Sequence, residues 1–141
     1  MAAHVRLASS NARMGLPEVS LGVIPGYGGT QRLAQIVGKG KALEMVLTGG
    51  MIDADSALEC GLVNQVVDQE LLLESAHAMA AKMAKNAPTA LAAALDSVLA
   101  GYSRDGFGVE IARFGQCFAT NDFKEGTSAF LEKRKPQFPG A

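Results

Sequence analysis

Hydrophobic and polar positions alternate in short runs over the first half of the chain and in long helical stretches over the second. Val5 and Leu7 fall on one side of an extended stretch, so Met1–Ala8 is predicted as a short strand. Arg13–Leu16 reads as a second extended piece, because Leu16 precedes Pro17 and the residue before proline is pushed away from helix. Thr30–Val37 has helical spacing and stops at Gly38. Lys41–Leu47, with Leu43, Val46 and Leu47 on one face, is the next helix and closes at Gly49-Gly50. Asp53 is placed to cap a short helix over Ala54–Cys60, and the β-branched run Leu62–Val67 predicts a strand.

After Glu70 the pattern becomes helical throughout. Leu71–Lys85 is one long helix. Pro88 suits a helix start and leads into Thr89–Ala100. Phe107–Phe118 and Asp122–Lys133 follow; Asp122 is read as the cap of the last, with Glu125 three residues on completing a capping-box pattern. Pro136 and Pro139 end it. The expected division is therefore an α/β region over residues 1–68 and an all-helical region over 69–141. So few strands cannot cover every apolar helix face in the second region, which points to oligomerisation or to a further segment packed against it.

Composition narrows the function classes. Hydrophobic residues make up 48% of the 141 and charged ones 19%, and the net charge is −1, so the chain is globular and lacks the basic excess of a nucleic-acid binder. Nine of the sixteen glycines lie between Gly15 and Gly50, so tight turns concentrate in the first third. No apolar run reaches the roughly 20 residues of a membrane span. Cys60 and Cys117 lie too far apart for a CxxC pair and read as two reduced, buried thiols of a cytoplasmic protein. His4 and His77 cannot build a metal centre with them, and no metal is expected. Residues 1–50 hold five basic side chains against two acidic, whereas residues 51–100 hold two against seven. Such blocks fit either solvated helix faces or an anion-attracting face built from the first and last segments.

Two places could carry chemistry. Glu18 follows Pro17 among Leu16, Val19 and Leu21, with no lysine in helical reach. Desolvation disfavours a charged carboxylate, which is what an acid–base group near neutral pH requires. A glutamate turned to solvent at a strand–turn junction is the plainer reading of the same residues. Gly26-Tyr27-Gly28-Gly29-Thr30-Gln31 leads into a helix start, where a ligand can approach the backbone closely. It has neither the GxGxxG spacing of dinucleotide sites nor the GK[ST] ending of a P-loop, and a tight turn explains it equally well.

Taken together, the blocks resemble one family. The run from Ala12-Arg13-Met14-Gly15-Leu16-Pro17-Glu18 through Gly26-Tyr27-Gly28-Gly29-Thr30-Gln31-Arg32-Leu33 is similar to the signature of the enoyl-CoA hydratase/isomerase family, the crotonases. So are Gly38–Ala42, Leu47-Thr48-Gly49, Ile52-Asp53-Ala54, Gly61-Leu62-Val63 and the ending Phe130–Pro136, in order along nearly the whole chain. The resemblance implies an α/β, crotonase-like spiral: part of its β/α layer over 1–68, then a C-terminal helical oligomerisation region over 69–141. It implies an acyl-CoA thioester as substrate, hydrated or isomerised at an enoyl double bond in fatty-acid metabolism, with no separate cofactor since coenzyme A belongs to the substrate.

Glu18 matches the family glutamate that delivers or removes a proton at carbon. Gly26, with Tyr27, matches the loop facing the reacting carbons. Phe114 and Lys133 match C-terminal positions that can reach a neighbouring subunit's acyl or CoA site, in a trimer or hexamer. The resemblance also implies that both oxyanion-binding N–H groups and a first catalytic glutamate belong to a family N-terminal half outside these residues. Low hydratase activity is therefore expected of this polypeptide by itself, and a non-catalytic assembly module is the alternative.

Overall fold

The computed structural model describes residues 1–102 and 105–141. Four three-residue strands and seven α-helices follow one another as β1 (Leu7–Ser9), β2 (Arg13–Gly15), α1 (Gly29–Val37), α2 (Lys39–Thr48), β3 (Met51–Asp53), α3 (Ala54–Glu59), β4 (Gln65–Val67), α4 (Leu72–Met83), α5 (Pro88–Ala100), α6 (Gly106–Cys117) and α7 (Asn121–Leu131). Two 3-10 turns, Pro17–Leu21 and Gln69–Leu71, complete the described elements. The chain forms two compact units, Met1–His77 and Ala78–Ala141, dividing within α4.

In the first unit β1 pairs parallel with β4, Ala8 opposite Val66, and β2 pairs antiparallel with β3, Met14 opposite Ile52. A parallel pair needs a long crossover, and here α1 to α3 supply it. The buried core beside these strands is Ala8, Leu33, Ala42, Met45, Ala54, Ala57, Leu62 and Val63. Four alanines in that set let helices and strands approach closely. Gly15 shows how closely: a β-carbon there would lie 2.7 Å from the Gly50 carbonyl oxygen, so the β2–β3 junction accepts only glycine without moving backbone. Asp53 caps α3 as its sequence predicts, its Oδ1 accepting from the Ser56 N–H at 2.9 Å.

In the second unit α5 packs against α6, and an Arg113–Asp96 ion pair of 2.8 Å links them at the surface. Pro88 opens α5, as expected. The cap of α7 is Thr120, whose Oγ1 accepts from the Phe123 N–H at 3.1 Å, and not Asp122. Asp122 is instead buried and turned toward α5: its Oδ2 accepts from the Thr89 hydroxyl at 2.7 Å and its Oδ1 from the Gly140 N–H at 2.8 Å. Burial opposes ionisation of Asp122, but the bonds from the Thr89 hydroxyl, the Gly140 N–H and the Thr89 N–H outweigh it and hold the carboxyl below its ordinary range.

Other departures are local. The first strand covers only Leu7–Ser9, and Met51–Asp53 forms a strand where none was predicted. Helix α1 begins one residue early, at Gly29. Both cysteines are free and half-buried rather than buried.

Candidate active site

The backbone around Glu18 is fixed from both sides. Leu16 ends the extended stretch with φ −131° and ψ 79°, and Pro17 opens the 3-10 turn, where its missing N–H costs nothing. The Ser20 hydroxyl donates to the Pro17 carbonyl at 2.8 Å. Gly22, in the left-handed region at φ 77°, closes the turn; its N–H bonds to the Val19 carbonyl at 3.1 Å, and the Val23 N–H bonds to the Glu18 carbonyl at 3.3 Å. Behind the turn stands Gly49, the left-handed residue ending α2. A β-carbon on Gly49 would sit 3.5 Å from Val19 Cγ2 and 3.6 Å from Pro17 Cα. The end of α2 is thus the surface on which the Glu18 turn rests.

Glu18 itself is half-buried, not the solvent-facing residue of the plainer reading. Its Oε2 is buried and, among the described residues, has no hydrogen-bond partner. Buried polar atoms are paired in the great majority of cases, because an unpaired one keeps its full desolvation cost.

The loop that follows is pinned at one point and open elsewhere. Pro25 is buried against Gly29, whose added β-carbon would meet Pro25 Cβ at 2.9 Å and Leu16 Cδ1 at 3.1 Å. Leu16, Pro25 and Gly29 therefore tie the loop to the residue two before Glu18. Around that anchor Leu21, Val23, Ile24 and Tyr27 are exposed, Tyr27 completely. Gly26 is exposed, an added β-carbon there meeting the Ile24 carbonyl oxygen at 4.0 Å, and has an ordinary φ; the left-handed glycine here is Gly28, under the Arg32 guanidinium, which donates to the Tyr27 carbonyl at 2.8 Å.

Phe114 and Lys133 belong to the second unit. Phe114 lies on α6, 65% exposed, with its ring edge-to-face on Phe118 at 5.0 Å. Phe107, Ile111 and Phe114 are all exposed at helical spacing, so α6 carries an apolar stripe. Lys133 is exposed just beyond α7. A cavity of about 590 Å³ opens in the first unit among Leu7, Ser9, Met14, Leu16, Leu33 and Met45; Glu18 is not among its walls. No group of three His, Cys, Asp or Glu side chains among the described residues could hold a metal ion. No helix among them is long and apolar enough to cross a membrane.

Sequence reasoning singled out Glu18 and its loop but not the residues that brace them. Gly49, Pro25 and Gly29 matter through contacts with residues up to 32 positions away, and their only sequence signal is glycine at a helix end or proline in a turn.

The whole chain, residues 1–141, matches the enoyl-CoA hydratase/isomerase family. The chain belongs to that family. It is 47% identical to a probable enoyl-CoA hydratase of Bacillus subtilis (strain 168), over 99% of this chain and 56% of that protein. It is 45% identical to a short-chain-enoyl-CoA hydratase of Clostridioides difficile, over 92% of this chain and 86% of that protein. The crystal structure of an enoyl-CoA hydratase from Bacillus anthracis superposes with a TM-score of 0.96 at 40% identity, covering 99% of this chain and 55% of that one. The α/β, crotonase-like fold is therefore that of solved enoyl-CoA hydratases. The chain spans about half the length of the first curated relatives it matches.

Proposed function

We propose that this enoyl-CoA hydratase/isomerase family chain supplies the proton-transfer side of an acyl-CoA-processing site, with Glu18 as the acid–base group. The observation that carries this reading is the buried, unpartnered Oε2 of Glu18, on a turn braced by Gly49 and by the Leu16–Pro25–Gly29 contact. In hydration of an enoyl thioester, the oxygen of water bonds to the β-carbon as the C=C π bond opens, a proton from the Glu18 carboxyl bonds to the α-carbon, and the proton that the water gives up restores the Glu18 carboxyl. In isomerisation the carboxylate takes one carbon-bound proton and returns it elsewhere on the acyl chain. Neither route needs a cofactor beyond the substrate's own coenzyme A. Gly26 and Tyr27 would lie along the acyl group, since the loop is open on that side.

The chain further reads as the C-terminal half of the family fold. The edge of β1 carries this reading. The Arg6 carbonyl accepts from Asn64 N–H at 2.7 Å and the Ser10 N–H donates to the Val67 carbonyl at 2.8 Å. By the alternation of a strand, Leu7 then directs its backbone groups away from β4, and Leu7 is also one of the residues around the apolar cavity. A further strand carrying apolar side chains suits both features, and the remainder of the family fold would provide it. The apolar stripe on α6 supports assembly with further copies, through which Phe114 and Lys133 would reach a neighbour's substrate. A cytoplasmic location accords with the free thiols.

The test is hydration of crotonyl-CoA, followed as loss of enoyl absorbance. The purified chain is assayed alone and mixed with the portion of the Bacillus subtilis relative that it does not match. Little turnover is expected alone and measurable turnover in the mixture. Glu18→Gln should lower the latter by ~10²–10⁴-fold, the usual range for one acid–base group, with unchanged circular dichroism. A Glu18→Gln mixture that keeps its rate would remove Glu18 from the chemistry.

A further inference from the structure

The loop between Glu18 and α1 is tied at both ends and in the middle. At its start the Val23 N–H bonds to the Glu18 carbonyl at 3.3 Å, so the loop springs from the candidate acid–base residue itself. In the middle Pro25 is buried against Gly29 and Leu16. At its far end the tie is a side chain: Arg32 Nη1 donates to the Tyr27 carbonyl at 2.8 Å, five residues back along the chain. Leu21, Val23, Ile24 and Tyr27 are exposed, so apolar packing does not hold the loop between these points.

The placement of Arg32 is not that of an ordinary surface charge. A cation is disfavoured near a helix N-terminus, and α1 has no acidic residue in its first turn to offset it. Among the described residues no carboxylate forms an ion pair with Arg32. Its side chain nonetheless folds back over the start of α1 to reach the carbonyl. Gly28 leaves the room: a β-carbon there would lie 2.5 Å from Arg32 Nη1 and 3.2 Å from Cζ, and its φ of 78° is one that side chains rarely adopt. Because a peptide unit is planar, holding the Tyr27 carbonyl fixes the whole Tyr27–Gly28 plane at the point where the loop enters the helix. A guanidinium makes a stronger hydrogen bond to a carbonyl than a neutral donor does.

We propose that Arg32 is a positioning residue: seated over Gly28, it holds the Tyr27 carbonyl, keeps residues 22–28 in one conformation, and so fixes Gly26 and Tyr27 relative to Glu18. The inference rests on the proposed acyl-side role of that loop. Arg32 acts through the loop and touches no reacting atom.

Chymotrypsin reads the brace directly, because the bond it cuts after Tyr27 carries the carbonyl that Arg32 holds, and Tyr27 is completely exposed. Cleavage there in the 141-residue chain is compared with cleavage after Phe107 and Phe130, exposed residues of the second unit. Arg32→Gln should raise the Tyr27 rate by about tenfold through easier local opening, with the reference cuts and the urea midpoint unchanged. Arg32→Lys keeps a donor and should fall between. Gly28→Ala should also speed the cut, by displacing the guanidinium, and adding Arg32→Gln to it should change little further. In the crotonyl-CoA assay of the mixture, Arg32→Gln should lower kcat about three- to tenfold, a fraction of the ~10²-fold that a 1 Å misplacement costs, and leave KM within about twofold. Arg32→Lys should recover part of that loss; a purely structural role would lower the urea midpoint instead. An unchanged Tyr27 rate in Arg32→Gln overturns the brace. A faster cut with unchanged kcat overturns the positioning role and leaves Glu18 untouched. A mixture without turnover, or one indifferent to Glu18→Gln, fails the proposed function and the positioning role with it, and the Glu18 arm tells that failure apart from one at Arg32.

Discussion

Replacing Gly29 by alanine sets two opposing effects against each other at the base of the Glu18 loop. Gly29 is the first residue of α1, and alanine is favoured over glycine in a helix by up to about 1 kcal/mol. The gain is smaller at the first position, where fewer helical bonds depend on it. Against it stands the space: the new β-carbon would lie 2.9 Å from Pro25 Cβ and 3.1 and 3.3 Å from the Leu16 methyl carbons. The leucine end can rotate by a few tenths of an ångström. The proline ring is fixed to the backbone of a buried residue and cannot move without the loop. Overpacking of this kind costs about 1–3 kcal/mol, so it should win, leaving a net loss of about 1–2 kcal/mol. With a urea dependence of about 2 kcal/mol per molar, the midpoint of unfolding should fall by roughly 0.5–1 M. Gly40→Ala is the control, because it is also in the first turn of a helix, α2, and has no atom within 4 Å of the added carbon. It should raise stability by several tenths of a kcal/mol through propensity alone. Gly29→Ala as stable as the wild type, or as stable as Gly40→Ala, would show that the Pro25–Leu16 contact does not anchor the loop.

Leu33 is 1% exposed in the first unit's core, and Leu33→Ala should cost about 3–5 kcal/mol by loss of apolar contact and a residual cavity, read from chemical denaturation. Thr120→Ala removes the cap of α7 and should cost about 1 kcal/mol, whereas a loss no larger than that of an exposed threonine would return the capping role to Asp122. The Arg134 guanidinium and the Gln137 N–H hold the Glu125 carboxyl down at about 2, below the 4.5 of an unperturbed glutamate. A depressed folded-state value contributes stability that is present above pH 4.5 and lost as pH falls toward 2. Thermal melts across that window should show Glu125→Gln losing its deficit relative to wild type as the medium becomes more acid, and a constant gap would refute the pairing.

Much of the helical architecture was legible in the residues. Helices α1, α2, α5 and α6 follow from apolar spacing, from Pro88, and from the glycines at 38 and 49, because helix formation and its arrest depend on residues within one or two turns of each other. Glu18 could be singled out as a candidate on similarly local grounds, since its block is contiguous and its apolar neighbours adjoin it in sequence. The tertiary structure decided the rest. A three-residue strand such as Met51–Asp53 has too short a pattern to signal itself, and it exists because β2 offers it backbone partners across nearly forty residues. The choice of Thr120 over Asp122 as cap could not be read locally, because both side chains suit the role; Asp122 is drawn away by the Thr89 hydroxyl and the Gly140 N–H, donors that only folding brings near. For the same reason Glu125 pairs with Arg134 rather than with its own helix start. The burial of Glu18 Oε2 is likewise tertiary, since a side chain loses its water only when distant elements close around its turn, and the end of α2 does pack against that turn at Val19 and Pro17.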